Sequence, residues 1–194
     1  MRYSSRIGRR SAALASAALL SVGLGTAMAT QAHAAAAASV IIYDGYSQTV
    51  QRESAGTPVS CPTNQVLLGR EHHGDENGST TYYCGLIIID GQLVQVGAPN
   101  WSGSQRESNS FFTAPGGEAL VGRVHSGDEN GYTRYATASL TVGGRPVDIT
   151  SYRWTGGQTE SSSYSRASDG EVMVGRSHYG DEKGQTTYEY AKVS

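Results

Sequence analysis

The chain has 194 residues, with 15 Lys and Arg against 17 Asp and Glu and a net charge of −2. The basic side chains gather only near the N-terminus. The rest therefore offers no polybasic footprint, which excludes nucleic acid and anionic membrane surfaces as partners.

The first 34 residues read as a secretory signal peptide. Arg2, Arg6, Arg9 and Arg10 supply the basic region, residues 12–24 are apolar, and Ala32-His33-Ala34 is a small-residue cleavage site, with an earlier one at Ala27-Met28-Ala29. This leader carries four Arg and no acid, so the chain beyond it has 11 basic and 17 acidic groups, net −6. No later stretch is long and apolar enough to span a bilayer, so the expectation is a secreted protein of one domain without membrane insertion. Ala35, Ala36, Ala37, Ala38 and Ser39 then lead into Val40, Ile41 and Ile42. This small-residue tract is either a flexible tail left by the cleavage site or, with the first apolar strand, a strap laid into a groove on a partner.

From residue 40 the chain repeats itself, with expected units 40–93, 94–146 and 147–194. Gly69-Arg70-Glu71-His72-His73-Gly74-Asp75-Glu76-Asn77-Gly78 returns 53 residues later as Gly122-Arg123-Val124-His125-Ser126-Gly127-Asp128-Glu129-Asn130-Gly131. It returns again as Gly175-Arg176-Ser177-His178-Tyr179-Gly180-Asp181-Glu182-Lys183-Gly184. A fixed period of this size marks a repeat architecture whose units bury apolar faces against one another.

Four strands are predicted in each unit. Val40 and Ile42, Val94 and Val96, and Val147 and Ile149 are period-2 apolar positions of a first strand. A second covers Gln51-Arg52-Glu53-Ser54 and its copies from Gln105 and Gln158. A third contains Val66-Leu67-Leu68, Ala119-Leu120-Val121 or Val172-Met173-Val174. The fourth spans 80–89 and its equivalents, turning at Asp90-Gly91 or Gly143-Gly144. The last unit stops inside its fourth strand, so residues 40–43 are expected to pair with the C-terminal strand. The fold class that follows is all-β, a closed pseudo-threefold domain, β-trefoil-like or β-prism-like.

Cys61 and Cys84 both lie in the first unit and are absent together from the others. In an exported chain they read as a disulfide contributing about 3 kcal/mol.

The repeated loop is the candidate site. Locally it is a hairpin loop in which Gly supplies positive φ and Asp caps the backbone, with Arg70 expected to reach Asp75 or Glu76. A ligand- or partner-binding reading takes Arg70, His72, Asp75, Glu76, Asn77, Arg123, His125, Asp128, Glu129, Asn130, Arg176, His178, Asp181 and Glu182 together with Trp101 and Trp154. Carboxylates and amides bind sugar hydroxyls, aromatic faces pack on pyranose rings, and three equivalent sites would add avidity for a cell-surface glycan. The same groups suit a secreted protein partner. A metal reading fits less well. Asp75, Glu76 and Asn77 are oxygen ligands for Ca²⁺ but too few, and His72, His125 and His178 would have to converge to hold Zn²⁺. No cofactor is expected. There is no nucleophile elbow, metalloprotease helix or phosphate loop, and catalytic sites are seldom triplicated, so the chain reads as no enzyme.

The leader, the alanine tract running into Val40-Ile41-Ile42 and the compact domain after it resemble secreted three-repeat lectin-like proteins of actinobacteria. More loosely, they resemble the small adaptor subunit of umbrella-shaped antibacterial toxin particles. That resemblance implies a scaffold that joins other polypeptides through its N-terminal strap.

Overall fold

The computed structural model describes residues 37–75, 77–128, 130–181 and 183–194. The expected signal peptide lies outside them, as do Ala35 and Ala36 of the tract and the loop residues Glu76, Glu129 and Glu182. The described chain is all-β. Repeat one supplies β1 (Val40–Val50), β2 (Val59–Ser60), β3 (Gln65–His73), β4 (Ser79–Ile89) and β5 (Gln92–Leu93). Repeat two supplies β6 (Gln95–Val96), β7 (Asn100–Trp101), β8 (Gln105–Arg106), β9 (Asn109–Thr113), β10 (Glu118–Ser126), β11 (Tyr132–Val142) and β12 (Arg145–Pro146). Repeat three supplies β13 (Ile149–Trp154), β14 (Gln158–Thr159), β15 (Ser162–Arg166), β16 (Glu171–Tyr179) and β17 (Gln185–Val193).

Each repeat is built on one long antiparallel hairpin: β3–β4, β10–β11 and β16–β17. The predicted third and fourth strands are these arms. The turn at Asp90-Gly91 has φ of 50° and 77°, and Gly143-Gly144 has 57° and 78°, so both central residues adopt the positive φ of a type I′ turn.

The sequence did not reveal how the repeats join. Between the predicted second and third strands each repeat forms a further strand and gives it to another repeat's sheet. β2 pairs with β10, β9 pairs with β16, and β15 pairs with β3. The three sheets are therefore tied in a cycle. This corrects the expected pairing of residues 40–43 with the C-terminus. Val40 pairs with Ile89 and Tyr43 with Leu86 in β4, whereas β17 already has β13, β14 and β16 beside it. The edge that the first strand was expected to fill is taken by the third repeat's own β13.

The register shifts by one residue at Leu67/Gly69, Leu120/Gly122 and Met173/Gly175. Such a bulge reverses the side-chain alternation, so Leu67 and Arg70, although three residues apart, share a face. One apolar layer includes Val66, Leu68, Ile87, Leu140, Val174 and Val193. A second includes Leu67, Leu120, Met173, Tyr82, Tyr135, Tyr188 and Cys84. Cys84 is bonded to Cys61, as the sequence indicated. The bond ties β4 to the segment that runs on from the donated strand β2.

Candidate functional site

The repeated Arg and His side chains face inward. Arg70, Arg123 and Arg176 are 1%, 2% and 0% exposed, and His72, His125 and His178 are equally buried. They are out of reach of any ligand on the surface. The expected bridge from Arg70 to Asp75 or Glu76 is also replaced. The partners are Glu53, Glu107 and Glu160, the glutamates of the Gln-x-Glu-Ser segments.

These six side chains form a ring. Arg70 Nη2 lies 2.6 Å from Glu53 Oε2 and 2.8 Å from Glu160 Oε1. Arg123 pairs with Glu53 through Nη1, and its Nη2 lies 3.0 Å from Glu107 Oε1. Arg176 reaches Glu107 at 2.7 Å and Glu160 at 2.9 Å. Each guanidinium thus holds its own repeat's glutamate and a second from a neighbouring repeat. That neighbour also supplies a tyrosine: Arg70 donates to Tyr188 Oη at 3.0 Å, Arg123 to Tyr82 Oη at 2.8 Å and Arg176 to Tyr135 Oη at 3.3 Å. Tyr82 in turn donates to Glu53 at 2.5 Å. Three positive and three negative charges balance, which is the condition for burying ions without a prohibitive desolvation cost.

The electrostatics follow from this geometry. Burial alone would raise the Glu53 carboxyl, but Arg123 and Arg70 override it and hold it well below the usual range. Glu107 is likewise pushed up by burial and brought down to about 2 by Arg123 and Arg176. His72 is lowered to about 4, first by burial and then by Arg70, and His125 and His178 are lowered for the same reasons. The hydrogen bonds accommodate a neutral ring. His72 Nε2 donates to Gly74 O at 3.0 Å while its Nδ1 accepts from Thr80 at 2.7 Å.

The loop itself is spent on structure. Asp75 Oδ1 accepts from Asn77 N at 2.8 Å, Asp128 Oδ1 from Asn130 N at 2.9 Å, and Asp181 Oδ1 from Lys183 N at 3.0 Å. The first glycine of each loop then latches another repeat: Gly74 N donates to Ser161 O, Gly127 N to Ser54 O and Gly180 N to Ser108 O, each at 2.9 Å. The second glycine of each loop offers its carbonyl to the glutamate of its own repeat, as in Glu107 N to Gly131 O at 2.9 Å. The arginines and the first glycine of each loop thus weld the three repeats, while the His, the Asp and the second glycine hold the hairpin within each.

Among the described residues the one cluster with metal-ligand geometry is Glu53, His72 and Glu160. Arg70 already sits against both carboxylates, so a cation there would meet a fixed positive charge. The three histidines do not converge; each lies beside a glutamate of its own repeat, at 3.4, 3.7 and 3.7 Å.

Outside the ring, the sheets lose their likeness. On the third sheet Phe111 stacks on Trp154, centroids 5.3 Å apart and 27° between planes, over the buried Glu189. On the second, the ring of Trp101 lies under the Arg134 guanidinium at 5.8 Å. On the first, Arg166 covers Tyr83 at 3.9 Å and pairs with Asp44. Tyr83 donates to Glu71 at 2.5 Å, which pushes its hydroxyl up to about 12. So Trp101 and Trp154, expected to act alike, sit in different chemistry.

No family model matches the chain, and no curated protein or solved structure is significantly similar to it. Function must be read from the surface.

Proposed function

We propose that the protein is an exported, non-catalytic adaptor that docks a protein partner along the free edge of β1 and the segment ahead of it. One observation carries this reading. β1 runs for 11 residues and pairs on one side only, with β4. The corresponding stretch breaks into β6, β7 and β8 in repeat two. In repeat three it breaks into β13 and β14, with Ser151 at a φ of 54°. An exposed edge is normally blunted by Lys, Pro or interruption, because its unpaired amides invite another chain. β1 contains neither residue, its one irregularity is a register shift between Asp44 and Tyr46 that leaves residues 40–44 as an unbroken edge, and Ile41, Tyr43 and Tyr46 are 46%, 56% and 38% exposed along it. Its base is fixed by Ser39 N donating to Asp90 Oδ1 at 2.8 Å and Asp90 N donating to Ser39 O at 2.9 Å. A strand that is long, paired on one side and apolar over residues 40–43 suits β-augmentation by a partner polypeptide.

Export is part of the proposal. It is supported by the basic and apolar leader in the sequence and by the disulfide. Among the described residues no helix is long and apolar enough to cross a membrane. The cyclic exchange of strands supports a closed pseudo-threefold frame, prism-like in its three sheets. The adaptor would serve an extracellular assembly, with an antibacterial toxin particle the kind that the sequence resembles. A lectin with three equivalent sites has less support, because the arginines and histidines common to all three repeats are interior and the outer aromatic positions differ from sheet to sheet.

The test is co-purification from culture supernatant. The wild-type chain should retain a defined partner polypeptide that free sugar does not elute. Ile41→Lys with Tyr43→Lys should lose it while unfolding at the wild-type denaturant midpoint. Equal retention by the double variant would sink the β1 reading.

A further inference from the structure

The outer face of the third sheet is built unlike the other two. Pairing places Trp154 opposite Glu189, Glu189 opposite Gly175, and Gly175 opposite Thr113. Two residues along the same strands, Ser177 faces Phe111 and Thr187. A side chain at Gly175 would strike Glu189 Oε2 and Phe112 O, each 2.6 Å from its Cβ. The missing Cβ therefore leaves the notch into which Glu189 settles. There its Oε2 accepts from Thr113 Oγ1 at 2.8 Å, beneath the Phe111–Trp154 stack.

We infer that this face binds a neutral polysaccharide. Phe111 is 64% exposed, Trp154 37% and Tyr179 73%, and Tyr179 lies two residues from Ser177 on the same side of β16. Three aromatic rings on one sheet face, stacked or standing in water, are the surface that the apolar face of a pyranose covers. Around the rings stand the hydroxyls of Thr113, Ser177 and Thr187, which exchange hydrogen bonds with sugar hydroxyls, while Glu189 holds Thr113 in place from below. The paired positions on this face carry neither Lys nor Arg. That omission disfavours uronic acids and phosphorylated glycans and points to an uncharged chain. The equivalent faces are closed to the same use, since Arg134 caps Trp101 on one and Arg166 fills the notch over Gly69 on the other. The inference goes beyond the adaptor reading and stands apart from it, since it lies on a sheet that does not contain β1.

The chain has two tryptophans. In a Trp101→Phe background Trp154 alone reports, so its emission is followed during titration with cellohexaose, chitohexaose, mannohexaose and, as an anionic control, a hexagalacturonate. A neutral hexasaccharide should shift the emission, and Phe111→Ala should weaken its binding about tenfold. Ile41→Lys with Tyr43→Lys should leave the titration unchanged, which separates failure of this site from failure of the β1 proposal. The inference is overturned if none of the neutral sugars moves Trp154, if Phe111→Ala binds as the parent does, or if the anionic sugar binds best.

Discussion

Replacing Glu107 by Gln removes one negative charge from the ring while keeping its shape. Glu107 Oε1 serves Arg123 at 3.0 Å and Arg176 at 2.7 Å, and Oε2 lies 3.7 Å from His125 Nδ1. With the amide in place the interior holds three guanidiniums against two carboxylates, in a site that burial closes to solvent. Breaking a buried pair from one side costs about 3–5 kcal/mol. Against a total stability of about 5–15 kcal/mol this is a large fraction. For a domain of this size each kcal/mol is worth about 2–4 °C, so the melting temperature should fall on the order of 6–20 °C. Urea unfolding followed by intrinsic fluorescence measures the difference, with an unchanged slope showing that the denatured state is not what moved. Because the pair is buried, 1 M NaCl should leave the gap open, whereas a surface pair would be screened. A Glu107→Gln variant within about 0.5 kcal/mol of wild type would refute the ring as a stabilising unit, as would a gap that closes in salt.

Acid should weaken the domain in two stages. The histidines have folded-state pKa values below the ordinary 6.5, with His72 at about 4. Their contribution is complete above pH 6.5 and is lost as pH falls toward 4. The glutamates are lowered from 4.5, Glu107 to about 2, so a steeper loss follows below pH 4.5. Denaturant midpoints taken from pH 7 to 3 should fall throughout, and His72→Gln should flatten only the upper limb. A midpoint constant between pH 6.5 and 4.5 would contradict the buried neutral histidines. Removing the disulfide as Cys61→Ser with Cys84→Ser should cost about 2–4 kcal/mol, and intact mass before and after reduction of the wild type should differ by two hydrogens.

The sequence showed what depends on neighbours along the chain. The 53-residue period, the long hairpins and the glycine turns are local patterns, and each is present in the structure. Cys61 and Cys84 were paired by their joint absence from the other repeats. What escaped was long-range partnership. Arg70 has Asp75 five residues away, yet it binds Glu160, ninety positions on, because the hairpin carries the arginine inward and the loop outward. A signal for this was present. Glu53, Glu107 and Glu160 recur with the arginines, and so do Tyr82, Tyr135 and Tyr188, and a buried cation needs partners that recur with it. The donated strands escaped for a different reason. β2 has two residues and β9 and β15 five each, too short to stand out from loop, and β15 is nearly all polar. The divergence of the outer faces is a property of which side chains reach across the bulge glycines, and sequence order does not reveal that reach.

The cyclic gift of strands has a consequence for how the chain comes to be folded at all. A single repeat lacks one edge of its own sheet and has an arginine with half of its counter-charges, so it is not a smaller version of the whole. The first two repeats still leave one sheet incomplete, with Arg70 and Glu107 each short of one counter-charge. Only when the third has been made can the first sheet receive β15, and the last-synthesised repeat then completes the earliest. The domain is therefore indivisible in the sense that a solenoid is not. It cannot be shortened or lengthened by a unit, and a lone repeat would complete itself only by meeting two copies of its own kind.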